Sequence, residues 1–425
     1  MGLLLLLGLF ALFVVIGMPV AFALGVASVA TFFYEGLPIM IAFQRIISGI
    51  SIFALMAIPF FIFAGELMFH GGIAVRLVRL ASSAVGAMRG GLGVVNVLSS
   101  MLFGGISGSA IADISALGSI LIPVMKEKGY DDDYAVNVTV TSSLAGIIIP
   151  PSHNMIIYAV AAGGGLSISK LFLAGFVPGV LMCVCLAIVS YVVAVKRGYA
   201  SEAFPGFIIL FQNFIIAIPG LMTAVIIVGG VLSGIFTVTE SGAFGAIYAL
   251  VVTIFVYRAM TWEKFKLAVF NSVKTTSMVL ILIACSGAFA YLLTFYQVPE
   301  KMSDFLVGIS DNPIIIMLMI NLMLLLLGMI MDMAALILIC TPIFLPIALS
   351  LGMDPYQFGM MMLVNLGLGL CTPPVGSCLF VGCVVGNVRL EDAVKTIWPF
   401  YLAIFVALML VTFIPAISLT LPRLL

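Results

Sequence analysis

The feature that most limits this chain is a diproline that occurs twice, at Pro150-Pro151 and Pro373-Pro374, each inside an apolar stretch that would otherwise be a membrane helix. Sliding the sequence over itself by 223 residues superposes the two pairs. The same register aligns Gly105 with Gly328, Pro123 with Pro346, Gly129 with Gly352, Gly146 with Gly369 and Gly163 with Gly386. Shared apolar composition alone would align Leu, Ile and Val; the aligned residues are instead those that dictate backbone shape. Proline lacks a donor and clashes with the preceding turn, so each pair frees backbone carbonyls at membrane depth, where an unsatisfied polar group costs several kcal/mol. A transported ion or substrate is the economical partner for them.

Composition agrees that the solvent is lipid. Hydrophobic residues make up 64% of the chain and charged ones 8%, against about 25% charged in soluble proteins. The formal net charge is zero, which supports neither a nucleic-acid partner nor a large basic face. The seven cysteines, at 183, 185, 285, 340, 371, 378 and 383, show no CxxC or Cys/His ligand spacing and read as free packing thiols. Met1 to Ile16 has no basic n-region and continues into apolar sequence, so it reads as a retained membrane segment.

A helical span needs about 20 apolar residues. That ruler gives spans at 3–16 and 18–33, 46–69, 171–195, 214–235, 238–257, 276–296 and 398–421. Two stretches, 92–125 and 313–349, are too long for one span and have Gly-rich or polar middles, so they read as re-entrant helical hairpins. The diprolines break helices at 134–165 and 357–388. The fold class is therefore an all-α polytopic membrane protein with two structural repeats, 1–200 and 201–425. If 1–33 is two short spans, each repeat crosses an odd number of times and the second lies inverted. In that topology thirteen of the seventeen Lys and Arg fall on the cytoplasmic side, leaving Arg45, Lys170, Lys301 and Arg423 outside, as the positive-inside rule expects. Arg45 to Ser51 and Trp262 to Thr275 read as amphipathic helices in the interface. The apolar connector 204–218 is either a linker or the start of the next span.

A broken helix ends in free carbonyls and restarts with free amides, so one break can serve a cation and an anion together. In the first repeat the carbonyls near Gly146 and Ile149, with Ser107 and Ser109 from the hairpin tip, are oxygen ligands suited to a hard cation such as Na⁺. The second repeat offers Gly328, Met331 and Asp332 at the tip with Gly369 and Thr372 at the break. Ser152, His153 and Asn154 follow the first break and face the positive end of a half-helix, where a polar anionic solute can bind. Asp113 and Ser377 are the remaining candidate substrate contacts, with a structural hydrogen bond as the alternative for Asp113. Glu66 and His70, one turn apart, read as a structural pair, and Thr239-Glu240-Ser241 as a helix cap. Static kinks with close glycine packing are the plain alternative for a single diproline; two in one register, each with a polar tip, favour a site.

At these motifs the chain resembles the large, DctM-like membrane subunit of tripartite ATP-independent periplasmic (TRAP) transporters. The resemblance covers essentially the whole chain, through GGISGSAIADISALGSILIPVMKEKGY (104–130), IIIPPSHNMIIY (147–158), GGVLSGIFTVTE (229–240), LLGMIMDMAALILICTPIFLPIALSLGMDP (326–355) and NLGLGLCTPPVGSCLF (365–380). It implies Na⁺-driven uptake of an organic acid across the bacterial inner membrane, delivered by a periplasmic binding protein, with a small four-helix membrane subunit as partner. It also implies an elevator, in which a transport domain of hairpins and broken helices slides against a scaffold. Carried over by motif, one Na⁺ site takes Ser107, Ser109, Gly146, Ile149 and Pro151, and the other Gly328, Met331, Asp332, Gly369, Thr372 and Pro374. The SHN at 152–154 is similar to the sialic-acid branch more than to the C4-dicarboxylate branch. Val238 departs from the family's usual proline.

Two other classes are disfavoured. A channel needs a continuous polar pore, whereas the polar residues here cluster at two points flanked by apolar runs such as 313–327. An intramembrane enzyme needs paired acids, metal-spaced histidines or a Ser/His pair, and the only histidines are His70 and His153.

Overall fold

A computed structural model describes every residue except Glu202 and Leu425, with the backbone alone for Ile106 and Ser107. The first half runs α1 (Gly2–Val15), α2 (Val20–Tyr34), α3 (Ile39–Ile50), α4 (Ala57–His70) and α5 (Ile73–Val85). Next come α6 (Gly91–Ser107), α7 (Ala110–Asp113), a π-helical turn at Ile114–Gly118, and α8 (Ser119–Glu127). The first broken helix is α9 (Asp132–Ser142), α10 (Ala145–Ile148) and α11 (His153–Ala161), followed by α12 (Ile168–Lys196). The second half comprises α13 (Phe207–Leu232), α14 (Val238–Val251), α15 (Trp262–Phe295), α16 (Val298–Ile309), α17 (Pro313–Gly328) and α18 (Met333–Ser350). The second broken helix is α19 (Pro355–Leu370) and α20 (Ser377–Gly386), and the chain closes with α21 (Leu390–Thr396), α22 (Trp398–Phe413) and α23 (Pro415–Leu419). Among the described residues six helices are long and apolar enough to cross a membrane, or up to eight if each bent pair is one span.

Local chemistry sets the boundaries. Asn312 and Asp354 each accept a hydrogen bond from the amide two residues on, at 2.9 and 2.8 Å, and each is followed by a proline at the first helical position, where a missing N–H costs nothing. Thr237 and Glu240 form a reciprocal capping box at the start of α14. The cap is thus Thr237, with Glu240 as its partner; Thr239 turns inward and donates to the Phe53 carbonyl at 3.4 Å.

Three sequence boundaries move. Trp262 to Thr275 is not a separate interfacial helix: it runs without interruption into the following span as α15, 34 residues or about 51 Å at 1.5 Å per residue. Its counterpart α3 is detached from α4 by a break at Ser51 and Ile52, so the span expected at 46–69 begins at Phe53. The segment 204–218 belongs mostly to α13, whose 26 residues reach about 39 Å. The stretch 1–33 forms two helices, parted at Gly17 (φ +85°) and Pro19.

The helices sort into an inner and an outer group. In the inner group each half's post-break helix packs on the other half's pre-break helix: α20 lies along α9, and α11 along α18 and α19. Gly382 and Gly386 of α20 make this possible, since a Cβ on Gly382 would sit 2.1 Å from Val140 Cγ2 and one on Gly386 2.2 Å from Val136 Cγ2. Small residues four apart let backbones approach where lipid offers no hydrophobic drive. Asn137 ties α9 to α21 through the Ala393 carbonyl and Thr396, both at 2.9 Å, and Tyr158 ties α11 to the Pro355 carbonyl at 2.6 Å. Residues 134–159 are all buried. The outer group makes the same exchange, α4 with α14 and α2 with α15.

The α9–α20 contact is therefore expected to be intolerant of added volume. Gly382→Ala should destabilise the protein by about 1–3 kcal/mol, read as a lower melting temperature in detergent, and Val140→Ala added to it should raise that temperature above the single variant's.

Candidate functional site

In the first half, α6 crosses the break backbone to backbone. A Cβ on Gly104 would lie 2.6 Å from both the Cα and the N of Gly146, and one on Gly146 would lie 3.0 Å from the Gly104 Cα. Gly105 faces Ile149 and the Pro150 carbonyl, at 3.0 and 3.2 Å from its virtual Cβ. The other side of the break is held the same way by α12, where a Cβ on Gly175 would meet the Ile148 carbonyl at 2.4 Å and one on Gly179 would meet Ile149 Cγ1 at 2.5 Å. At the hairpin tip Gly108 (φ +64°) places its Cα against the His153 ring and the Pro151 carbonyl. A side chain there would be strained by the backbone and crowded by the ring. The Pro150-Pro151 bond is cis, as is Pro373-Pro374, and α9–α10 and α11 bend by 53°.

The second half repeats the crossing. A Cβ on Gly369 would sit 2.6 Å from the Gly328 carbonyl carbon and 2.7 Å from its Cα. The tip is tied directly to the break, because the Met329 carbonyl accepts from the amides of Val375 and Gly376 at 3.2 and 3.3 Å. Asp332 caps α18, its Oδ2 accepting from the Ala334 amide at 3.0 Å. Thr372 donates its hydroxyl to the Leu368 carbonyl at 2.7 Å. On the side away from Gly328 this break is held by a side chain, the Tyr401 hydroxyl donating to the Cys371 carbonyl at 2.5 Å.

One turn before each crossing glycine, Gly146 and Gly369, a polar side chain clamps the crossing. Ser142 donates to Asn96 Oδ1 at 3.1 Å and meets Ser100 at 3.1 Å, while Asn96 donates to Thr139 at 2.6 Å. At the position 223 residues on, Asn365 donates to the carbonyl and the side-chain oxygen of Asn321, both at 2.8 Å. Among apolar helices such bonds fix the register of hairpin on break.

The first turns after the breaks carry polar atoms that nothing among the described residues satisfies. The Ser152 hydroxyl and His153 Nδ1 are buried without a hydrogen-bond partner, as is the hydroxyl of Ser377 after the second break. Buried polar groups are normally paired, so these atoms mark places where a ligand's polar groups would be accommodated. Both carboxylate oxygens of Asp113 are also buried and unpartnered by standard geometry, with Ser100 the neighbouring hydroxyl. Hence Gly146, Ile149, Pro151, Ser152, His153 and Asn154 come together at one tip, where the Ser109 hydroxyl caps α7 through the Ala112 amide at 3.4 Å. Gly328, Met331, Asp332, Gly369, Thr372, Pro374 and Ser377 come together at the other. The side chain of Ser107 lies outside the described residues. Sequence reasoning missed Gly104, Gly175 and Gly179, the Asn321–Asn365 and Asn96–Ser142 clamps, and Met329. The Gly104-Gly105 doublet and the Gly175/Gly179 spacing were the available signals.

Glu66 and His70 do form a pair, at 3.4 Å, and Asn271 donates to the same carboxylate oxygen at 3.1 Å. A polar cavity of about 480 Å³ lies elsewhere, between Asp132, Asp133, Asn387, Arg389, Asp392 and Lys395. Its charges are already paired, Arg389 and Lys395 with Asp392 inside the lining, and Asp132 and Asp133 with Lys126 and Arg197 beyond it.

Comparison with known proteins settles the family. The family model for the DctM component of the tripartite ATP-independent periplasmic transporter matches residues 7–417. This chain belongs to the DctM family. It is 38% identical over 409 residues to the sialic acid TRAP transporter large permease protein of Vibrio cholerae, covering 96% of this chain and 95% of that one. It is 35% identical over 439 residues, the full length of both, to the C4-dicarboxylate TRAP transporter large permease protein of Rhodobacter capsulatus. The crystal structure of the Alcanivorax borkumensis YdaH transporter shares the fold, with a TM-score of 0.63 over 89% of each chain at 14% identity. As a DctM-family member the protein is a multi-pass membrane permease subunit of an ATP-independent transporter and not an enzyme. Its family works with a small permease and a periplasmic binding protein.

The glycine crossings give a signed test within the DctM framework. Gly104→Ala should destabilise by about 1–3 kcal/mol and depress transport. Gly229→Ala, on α13 with nothing within 4 Å of its virtual Cβ, should stabilise by roughly 0.5–1 kcal/mol. Thermal melts of the two purified variants compare the signs directly.

Proposed function

We propose that this chain is the membrane engine of a Na⁺-coupled importer for an acidic sugar of the sialic-acid type, handed over by a periplasmic binding protein and completed by a small membrane subunit. The observation that supports this most is the repeated meeting of a hairpin tip with a break through a glycine pair, with orphaned polar atoms in the first turn beyond. Each meeting gathers backbone carbonyls and hydroxyls, the oxygen ligands a hard cation takes. Among the described residues no group of three His, Cys, Asp or Glu offers a metal cage, so oxygen from the backbone would hold the ion. One Na⁺ sits with Ser107, Ser109, Gly146, Ile149 and Pro151, the second with Gly328, Met331, Asp332, Gly369, Thr372 and Pro374.

The anion lies between, against Ser152, His153, Asn154 and Ser377, where the positive ends of α11 and α20 and the bound cations supply the charge that no buried Lys or Arg provides. The inner group acts as the transport domain, and the outer group, with inverted repeats, as the scaffold. With two Na⁺ and one monoanion, one net charge moves inward, worth about 2.3 kcal/mol per 100 mV.

Proteoliposomes holding the chain with its small subunit and binding protein provide the test. Uptake of sialic acid should require Na⁺ and a negative interior, and Asp332→Asn should raise the Na⁺ concentration for half-maximal uptake by about tenfold, the 1.4 kcal/mol of one charge-assisted ligand. Uptake indifferent to Na⁺ would refute the coupling. Transport of succinate with no sialic acid uptake would instead assign the chain to the dicarboxylate branch.

A further inference from the structure

Helix α4 ends at His70, and Gly71 and Gly72 (φ +75°) turn the chain away into α5. At that end polar head groups from the two halves of the chain meet on one oxygen. Glu66 Oε2 lies 3.4 Å from His70 Nε2, one turn on along α4, and accepts from the Asn271 side-chain amide of α15 at 3.1 Å. The imidazole gains no hydrogen bond from this: among the described residues nothing partners His70 Nε2, which is buried. Arg76, the first basic residue after the pair, is engaged elsewhere. It donates to the Gly72 carbonyl at 2.7 Å, and its guanidinium lies 3.9 Å from the Tyr257 ring centroid.

The spacing suits two ligands of one ion better than a hydrogen bond. N–H···O bonds end near about 3.2 Å, whereas two atoms each about 2.05 to 2.1 Å from a tetrahedral zinc stand about 3.4 Å apart. Positions i and i+4 put both ligands on the same helix face. A half-turn of the Asn271 amide exchanges Nδ2 for Oδ1 without changing its shape, bringing a third ligand atom to the same point. The site lies at the carbonyl end of α4, whose partial negative charge favours a cation. The His70 and Glu66 side chains keep 13% and 19% exposure, an opening for the ion and for the water that would complete its shell.

We propose that Glu66, His70 and Asn271 form a site for a divalent transition-metal ion of the zinc type, which imidazole and carboxylate ligands suit. The ion would staple α4 of the first half to α15 of the second, two neighbours within the outer group, and so stiffen the part of the protein against which the inner group packs. None of the three residues belongs to the breaks or hairpin tips. The site therefore stands whatever solute or coupling ion the transporter carries.

Full-length protein in detergent, freed of any histidine tag, is titrated with Co²⁺ and with Zn²⁺. One Co²⁺ per chain should bind with the visible absorption of a nitrogen and oxygen shell, without the thiolate band that any of the seven cysteines would give. Zn²⁺ at about 100 times its dissociation constant should raise the melting temperature by about 3 °C. Glu66→Gln and His70→Ala should each weaken Co²⁺ binding at least about tenfold. Asn271→Asp separates ligation from a merely structural pair: its added carboxylate should lower the melting temperature without metal, and Zn²⁺ should restore it. X-ray absorption of the zinc-loaded wild type should show an imidazole in a shell free of sulfur, which answers the question even if a variant fails to fold. No saturable binding by the folded wild type, a sulfur shell, or binding undiminished in both Glu66→Gln and His70→Ala would overturn the proposal.

Discussion

Where α6 meets the first break and α17 meets the second, two glycines touch with nothing but hydrogen between them, and the rest of the inner group is arranged to keep that contact. A single methyl at Gly104 would reach 2.6 Å from the Gly146 Cα, and one at Gly369 would reach 2.6 Å from the Gly328 carbonyl carbon. Lipid gives helices no hydrophobic reason to associate, so proximity has to come from shape and from hydrogen bonds. The polar clamps one turn away, Ser142 on Asn96 and Asn365 on Asn321, supply the second of these and fix which glycine meets which. Without the contact the carbonyls freed by each diproline would face hydrocarbon or a loose cavity, and the helix interruption would be a plain loss.

The exchange of post-break helices between halves follows from the same need. A broken helix has lost the hydrogen bonds that make an intact one self-sufficient, so its second piece must be held from outside. Here α20 is held by α9 through glycines 382 and 386, and α11 is held by α18 and α19. Each half therefore positions the other's break, and α9, α11, α18, α19 and α20 behave as one packed unit although they come from opposite halves of the chain.

Much of this was legible because Gly and Pro encode backbone shape. The diprolines, the hairpin tips and the glycines at 146, 328 and 369 stood out as repeated residues in one register, and the motif runs at 104–130, 326–355 and 365–380 carried the family resemblance. What failed to show was what depends on a partner. Gly105 was the obvious match for Gly328, yet Gly104 makes the crossing, because a Gly-Gly doublet leaves the register of a helix face undecided by one residue. The spacing of Gly175 and Gly179 on α12 says that a neighbour comes close but not which one, and it is Ile148 and Ile149 that pack there. The amphipathic run at 262–275 suggested a helix in the interface, but amphipathicity says only that one face is polar; it cannot say whether the helix stops, and α15 continues.

The two sites are alike in backbone and unlike in setting, and the difference bears on how they would work. The first break is buried throughout, sealed by Gly175 and Gly179 behind and by the Gly108 tip in front. The second leaves Pro374, Val375 and Asp332 exposed, with a tyrosine hydroxyl at its back. A pair of sites related only by a repeat would have equal access; here one backbone arrangement is closed and its counterpart open in a single conformation. Reversing that difference by local side-chain motion would mean opening the glycine seal at 175 and 179, where backbone meets the break with no slack. Moving the inner group as a body, as the proposed elevator requires, would leave both glycine crossings intact and change only what faces them.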